Sequence, residues 1–142
     1  MSGFLIDTNI ISEYNRPAGP NQGVESWLAG VEPDAQYISV LTLAELRKGI
    51  ELLQPGKRRR ELTAWYSHDL EEWFSGRVLP VDRRVAESWA TLTSRLLRRG
   101  RPLPAIDSLI AATAIAHDLA IVTRNVRDYA DSGVETVNPW VS

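Results

Sequence analysis

Phe4-Leu5-Ile6-Asp7-Thr8-Asn9 is an apolar run that ends in a carboxylate and two short polar side chains. A run of this kind predicts a short buried β-strand with Asp7 at its C-terminal end. In open α/β sheets that edge is where ligands bind, so a carboxylate placed there can face a cleft rather than bulk water. The same residues also admit a plainer reading, in which Asp7 or Thr8 only caps the helical turn that follows.

Working outward, Asn9 to Tyr14 reads as that turn, broken by Arg16-Pro17-Ala18-Gly19-Pro20. A helix follows, with Asn21 as N-cap, Val24, Trp27 and Leu28 on one face, and Gly30 at its end. Tyr37 to Val40 is a second strand, and Thr42 opens a helix carrying Leu43, Leu46, Ile50 and Leu53 up to Pro55-Gly56. From Arg58 to Phe74, Leu62, Trp65, Tyr66, Leu70, Trp73 and Phe74 recur at three and four residues, the stripe of an amphipathic helix. Arg77 to Val81 is a short strand whose proline places it at an edge or a strand end. Asp82 caps a long helix with Val85, Trp89, Leu92 and Leu96 inward and Gly100 at the position just past its end. Ile106 to His117 is a helix apolar almost all round, hence central. Leu119 to Thr123 is a strand buried on both faces, Arg124 to Asp128 a polar loop, and Val134 to Val137 a last strand. The order βα, βαα, βαα, ββ gives an α/β fold with a mostly parallel central sheet and helices on both faces, in one domain spanning residues 1–142.

Composition narrows the chemistry. The chain has 142 residues, 44% of them hydrophobic, which suffices for one compact core that buries roughly two-thirds of the unfolded surface. It has no cysteine, which excludes disulfides, thiolate metal sites and cysteine catalysis. Met1-Ser2-Gly3-Phe4 does not open a leader, and no uncharged apolar run approaches a membrane span, so a soluble cytoplasmic protein without membrane contact is expected. The net charge of −2 is unlike that of a dedicated nucleic-acid-binding domain. Arginine nevertheless makes up 14 of the 16 cationic residues and clusters at Lys57-Arg58-Arg59-Arg60, Arg83-Arg84 and Arg98-Arg99-Gly100-Arg101. Its planar fork suits phosphate.

The elements bring Asp7, Glu45, Asp82, Asp107 and Asp128 to strand C-termini or first helical turns. Carboxylates gathered without a counter-ion raise one another's pKa and cost stability, so a shared site implies a bound cation, and oxygen-only donors suit Mg²⁺ or Mn²⁺. Glu45 has a competing reading as the acid of a capping box over Thr42-Leu43-Ala44-Glu45, and Asp82 as an N-cap alone. Asp107 lies in the first turn of a very apolar helix, where burial requires a partner. His68 and His117 have no ligand spacing, and the chain contains no G-x-S-x-G, G-x-x-x-x-G-K-[ST] or G-x-G-x-x-G.

Taken in order, Leu5-Ile6-Asp7-Thr8-Asn9-Ile10-Ile11-Ser12-Glu13, Ser39 to Gly49, Ala105 to Ala114, and Val122-Thr123-Arg124-Asn125 followed by Asn138-Pro139-Trp140 resemble PIN-domain ribonucleases, specifically VapC-like and FitB-type toxins. The resemblance runs end to end and implies the three-layer PIN-like fold. It implies an acidic site at Asp7, Glu45 and Asp107, with a fourth position at Asn125, where some relatives carry aspartate, and Asp128 one helical turn further on. It implies a Mg²⁺- or Mn²⁺-dependent endoribonuclease in which Asp7, Glu45, Asp107 and Asp128 bind metal and Thr8, Asn9 and Thr123 orient carboxylates or water. Arg47, Lys48, Lys57, Arg58, Arg59 and Arg60 are candidate contacts to the RNA backbone. The implied partners are a second copy in a homodimer and a small antitoxin of ribbon-helix-helix type, in a complex that could grow larger and touch DNA only through the antitoxin. Two other readings use the same residues: a catalytically silent PIN-like interaction module, and a Mg²⁺-dependent phosphotransfer domain.

Overall fold

The structure, a computed structural model, describes residues 3–141, so Met1, Ser2 and Ser142 lie outside the described residues. The chain runs β1 (Phe4–Ile6), α1 (Thr8–Ser12), α2 (Gln22–Ala29), β2 (Gln36–Ser39), α3 (Val40–Glu51) and α4 (Lys57–Ala64). A π-helical turn (Trp65–Leu70) and α5 (Glu71–Trp73) continue α4, followed by β3 (Val78–Leu79), α6 (Arg83–Arg98), α7 (Ala105–His117), β4 (Ala120–Val122), a 3₁₀ turn (Val126–Ser132) and β5 (Thr136–Val137). The sheet is parallel throughout, in the order β3-β2-β1-β4-β5, with Phe4 opposite both Gln36 and Ala120.

Strand alternation builds the two cores. Ile6, Ile38 and Val122 face a layer made with Ile10, Ile11, Val24, Leu28, Leu46, Leu70 and Phe74. Leu5 and Ile121 face the other, made with Leu92, Leu96, Ile110, Ala111, Ala114 and Tyr129. Side chains that alternate by two along a strand must diverge this way, so the short strands β1 and β4 serve both cores at once. The small residues of α7 let it lie close against β4 and α6: Ala111, Ala112 and Ala114 have no exposed surface.

Local signals explain most boundaries. Asn21 accepts from the backbone N–H groups of Gly23 and Val24, and Asp82 accepts from that of Val85, as N-caps do. Gly100 sits at φ +68°, with its N–H bonded to the Leu97 carbonyl and that of Arg101 to Leu96, a Schellman ending.

Three expectations change. Helix α3 begins at Val40 rather than Thr42, because Ser39 caps it through Leu41 N–H; Thr42 lies buried inside the helix, so the capping box with Glu45 does not form. The helix from Arg58 to Phe74 is interrupted by the π-turn, which absorbs the five-residue step from Trp65 to Leu70 and lets Leu70 and Phe74 both reach the core. The loop after β4 exposes Arg124, Asn125, Arg127 and Asp128 as expected, but from Val126 it is wound into a 3₁₀ turn that buries Tyr129 and Ser132.

Candidate metal centre

The topology decides where a site can form. The chain leaves β1 toward β2 and β3 on one side and places β4 and β5 on the other, so the strand order reverses between β1 and β4. The crevice beyond the carboxyl ends of two such strands is the favoured ligand site of an open α/β sheet. Asp7 follows β1 and Thr123 follows β4, and they meet there: the Thr123 hydroxyl donates to Asp7 Oδ2 at 2.8 Å.

Asp7 is buried. Its backbone N–H donates to the Val122 carbonyl at 3.0 Å, and its Oδ1 accepts from Thr8 N–H at 2.9 Å. The capping reading and the site reading are therefore compatible, since capping occupies one oxygen and Oδ2 points to Thr123. Around this pair, Asn9 Nδ2 donates to Thr123 Oγ1 at 3.2 Å, and Asn125 N–H donates to the same oxygen at 3.0 Å. Thr8 Oγ1 donates to Glu45 Oε1 at 2.6 Å, which ties α3 to the strand end.

The other acids reach the crevice from separate elements: Glu45 from the middle of α3, Asp107 from the first turn of α7, Asp128 from the 3₁₀ turn. Their fields overlap. Burial is the first cause that raises the Asp7 pKa above the ordinary aspartate value, with Glu45 and Asp107 adding to it against the lowering by Thr123 and Thr8. The Asp107 pKa is raised by partial burial, then by Asp128 and Glu45. Tyr129, beneath the cluster, is held neutral by burial and by all four carboxylates. Asp82 stays a helix cap, as its plainer reading has it.

Among the described residues no group of three or more carboxylate or histidine side chains converges closely enough to hold a metal ion as the side chains stand. The donor set fits an open cation site instead. It offers oxygen donors only, and none of Asp7, Glu45, Asp107 or Asp128 is in an ion pair among the described residues. Mg²⁺ keeps several waters and needs few protein ligands, so such a site suits it better than a cage would. Asn125 is exposed, anchored by its backbone, and adds no charge, while Asp128 is the acid whose field reaches Asp107.

The cationic candidates are placed less closely. Arg47 and Arg59 both bond Glu51, at 2.9 and 3.0 Å, Lys57 stands 3.8 Å from Glu61, and Arg58 donates to the Asn15 carbonyl. Arg60 is exposed. Lys48, three residues after Glu45, shares its face of α3, whereas Arg47 does not. Sequence reading passed over two residues. Tyr129 gave no signal because its burial depends on the 3₁₀ turn. Glu13 was visible only as part of a motif; it is a buried acid that accepts from Arg16 at 2.8 Å and from Asn21 N–H at 2.9 Å, closing the proline-rich loop.

The PIN domain family matches residues 4–131. The chain is 39% identical over 137 residues to the toxin FitB of Neisseria gonorrhoeae, covering 96% of this chain and 98% of that protein. It is 34% identical, over 96% of this chain and 97% of the relative, to the VapC ribonuclease Y4jK of Sinorhizobium fredii. Among solved structures, FitAB bound to an IR36 DNA fragment superposes with a TM-score of 0.91 at 37% identity, covering 98% of this chain and 96% of that one. A domain-length match, end-to-end identity and a shared fold agree: the chain belongs to the PIN-domain family, among its FitB and VapC toxins.

Proposed function

We propose that this chain is a Mg²⁺- or Mn²⁺-dependent endoribonuclease, the toxin of a type II toxin–antitoxin pair. The observation that carries the reading is Asp7, a buried carboxylate at the β1/β4 switch point whose pKa is raised by burial and then by neighbouring acids, and which has no cationic partner among the described residues. Such an arrangement costs stability unless a cation occupies it. In this reading Asp7, Glu45, Asp107 and Asp128 hold the metal, and Asn125 offers an amide oxygen beside them. Bound there, the ion supplies Lewis-acid activation of water and neutralises charge developing on the phosphate. Thr123 and Thr8 fix Asp7 and Glu45 by donating to them, and Asn9 braces Thr123. Lys48, with Arg47 and the Lys57–Arg60 cluster more distantly, is proposed to meet the RNA backbone.

The FitAB–DNA structure supports a partner antitoxin that carries the DNA contact, and the exposed Leu97 and Ile106 on α6 and α7 support a homodimer. Among the described residues no helix is long and apolar enough to cross a membrane; the cytoplasm is the proposed compartment, where RNA is met. A silent PIN-like module is the second reading, favoured by Asn125 standing where some relatives carry an acid. Incubating the purified protein with total cellular RNA and Mg²⁺ and mapping the cut ends separates the two: metal-dependent ends support the nuclease, and intact RNA supports the module.

Protonation gives an independent check. The raised pKa values of Asp7 and Asp107 mean that the metal-free folded chain keeps protons that the unfolded chain releases. Stability of the metal-free protein therefore falls as pH rises from the ordinary aspartate value of 3.8 through the raised ones. A cation must displace those protons, so its affinity rises through the same window. Thermal melts with and without Mg²⁺ are expected to show little difference near about pH 4 and a clear stabilisation near about pH 8; a pH-independent difference contradicts the assignment.

A further inference from the structure

Arg124 follows Thr123 directly, one residue beyond the side chain that holds Asp7, and it is exposed. Despite four carboxylates at this crevice, it makes no ion pair among the described residues. Its guanidinium lies over the indole of Trp140 instead, 5.1 Å from the ring centroid, and its backbone N–H donates to Asn9 Oδ1 at 3.2 Å. An aromatic face holds a guanidinium without consuming its hydrogen-bond donors, so the fork stays available to an anion.

The C-terminal segment makes this platform rigid. Trp140 N–H is bonded to Asn138 Oδ1, and Val141 is clamped by the Asn21 side chain, which accepts from its N–H at 3.2 Å and donates to its carbonyl at 3.1 Å. The segment presses so closely on α2 that a Cβ at Gly23 would stand 2.3 Å from the Pro139 carbonyl oxygen and 2.8 Å from Val141. Asn21, Gly23 and Asn138 thus fix Trp140, and Trp140 holds the guanidinium of Arg124, whose backbone follows the crevice residue Thr123 and is tied to Asn9.

We propose that Arg124 is the substrate-positioning residue that grips a backbone phosphate of the RNA strand crossing the carboxylate crevice, with Trp140 as its platform. This rests on the ribonuclease reading above. Arg47 and Arg59 pair with Glu51 and Lys57 stands near Glu61, whereas Arg124 is one residue from Thr123 and makes no ion pair among the described residues. Single-stranded RNA fits because its phosphates can reach a fixed fork while its bases remain splayed.

The test uses full-length protein in an Asp7→Asn background, without metal, so that a labelled single-stranded RNA of mixed sequence stays intact while its binding is followed by fluorescence anisotropy against salt. Adding Arg124→Gln is expected to weaken binding about tenfold at low salt and to flatten the slope of log K against log salt by about 0.7, the loss of one single-strand phosphate contact. Trp140→Leu and Gly23→Ala keep the charge but release it, so affinity drops by a few-fold, roughly, with the slope retained, and Trp140→Phe restores binding. Unchanged affinity and slope in Arg124→Gln overturns the proposal. If the wild-type chain fails to cut RNA with Mg²⁺ while the Arg124-dependent slope is present, the ribonuclease reading falls and the phosphate contact stands.

Discussion

Asp7→Asn is expected to lower Mg²⁺-dependent RNA cleavage by about three orders of magnitude or more while leaving the fold intact. Asp7 is the one acid of the cluster that is nearly closed off from water, and both its oxygens are positioned, one by Thr8 N–H and the other by the Thr123 hydroxyl. The amide keeps the shape and one acceptor but loses the charge, so cation binding falls with activity. The same change relieves a strain. Burial and the fields of Glu45 and Asp107 disfavour the charged form, so the metal-free variant is expected to melt higher than the metal-free wild type, by roughly 2–5 °C. Loss of cleavage together with a gain in stability separates a functional carboxylate from a structural one. A variant that loses both would show that Asp7 chiefly holds the fold. Differential scanning calorimetry beside a cleavage assay reads both quantities.

Thr123→Val is expected to be among the most destabilising conservative changes at the crevice, by about 2–3 kcal/mol, or roughly 6–12 °C in melting temperature. Thr123 has no exposed surface. Its hydroxyl donates to Asp7 and accepts from both the Asn9 amide and the Asn125 backbone. Valine fits the space but takes from Asp7 Oδ2 its 2.8 Å donor, leaving it only the 3.5 Å contact from Asn9, and takes from the Asn125 N–H its acceptor; a buried group left poorly paired costs more than the bond itself contributes. Divalent-cation affinity is expected to fall about 10- to 100-fold as Asp7 loses its orientation. Thr123→Ser, which keeps the oxygen, restores most of both. Urea unfolding and metal titration of the two variants check this, and equal stability of valine and serine at 123 contradicts the hydroxyl's role.

How far the sequence alone reaches follows from which forces act locally. The strand ending at Asp7 is legible because an apolar run followed by a short polar turn leaves few alternatives, and its alternation between two cores follows from the pleat. Asp82 and Gly100 are legible as helix ends because capping is settled within four or five residues. Glu45 is harder. Its capping-box spacing from Thr42 was real, but Ser39 lies at the end of β2 and captures the cap three residues earlier, which frees Glu45 to meet Thr8 from across the chain. The π-turn beside Trp65 responds to where Leu70 and Phe74 must pack, a tertiary demand with no local signature. Tyr129 was similarly hidden, and Trp140 was visible only as part of a motif: each matters through residues more than fifteen positions away, Tyr129 through Asp7 and Asp107, and Trp140 through Arg124.

The most direct measurement is a Mn²⁺ titration of wild-type and Asp7→Asn protein, with bound ion and RNA cleavage followed in the same samples. Saturable Mn²⁺ binding by the wild type, cleavage rising along that binding curve, and loss of both in the variant are the expected results. Cleavage that proceeds undiminished in Asp7→Asn, or that is independent of bound metal, would contradict the carboxylate crevice as the metal centre of a ribonuclease.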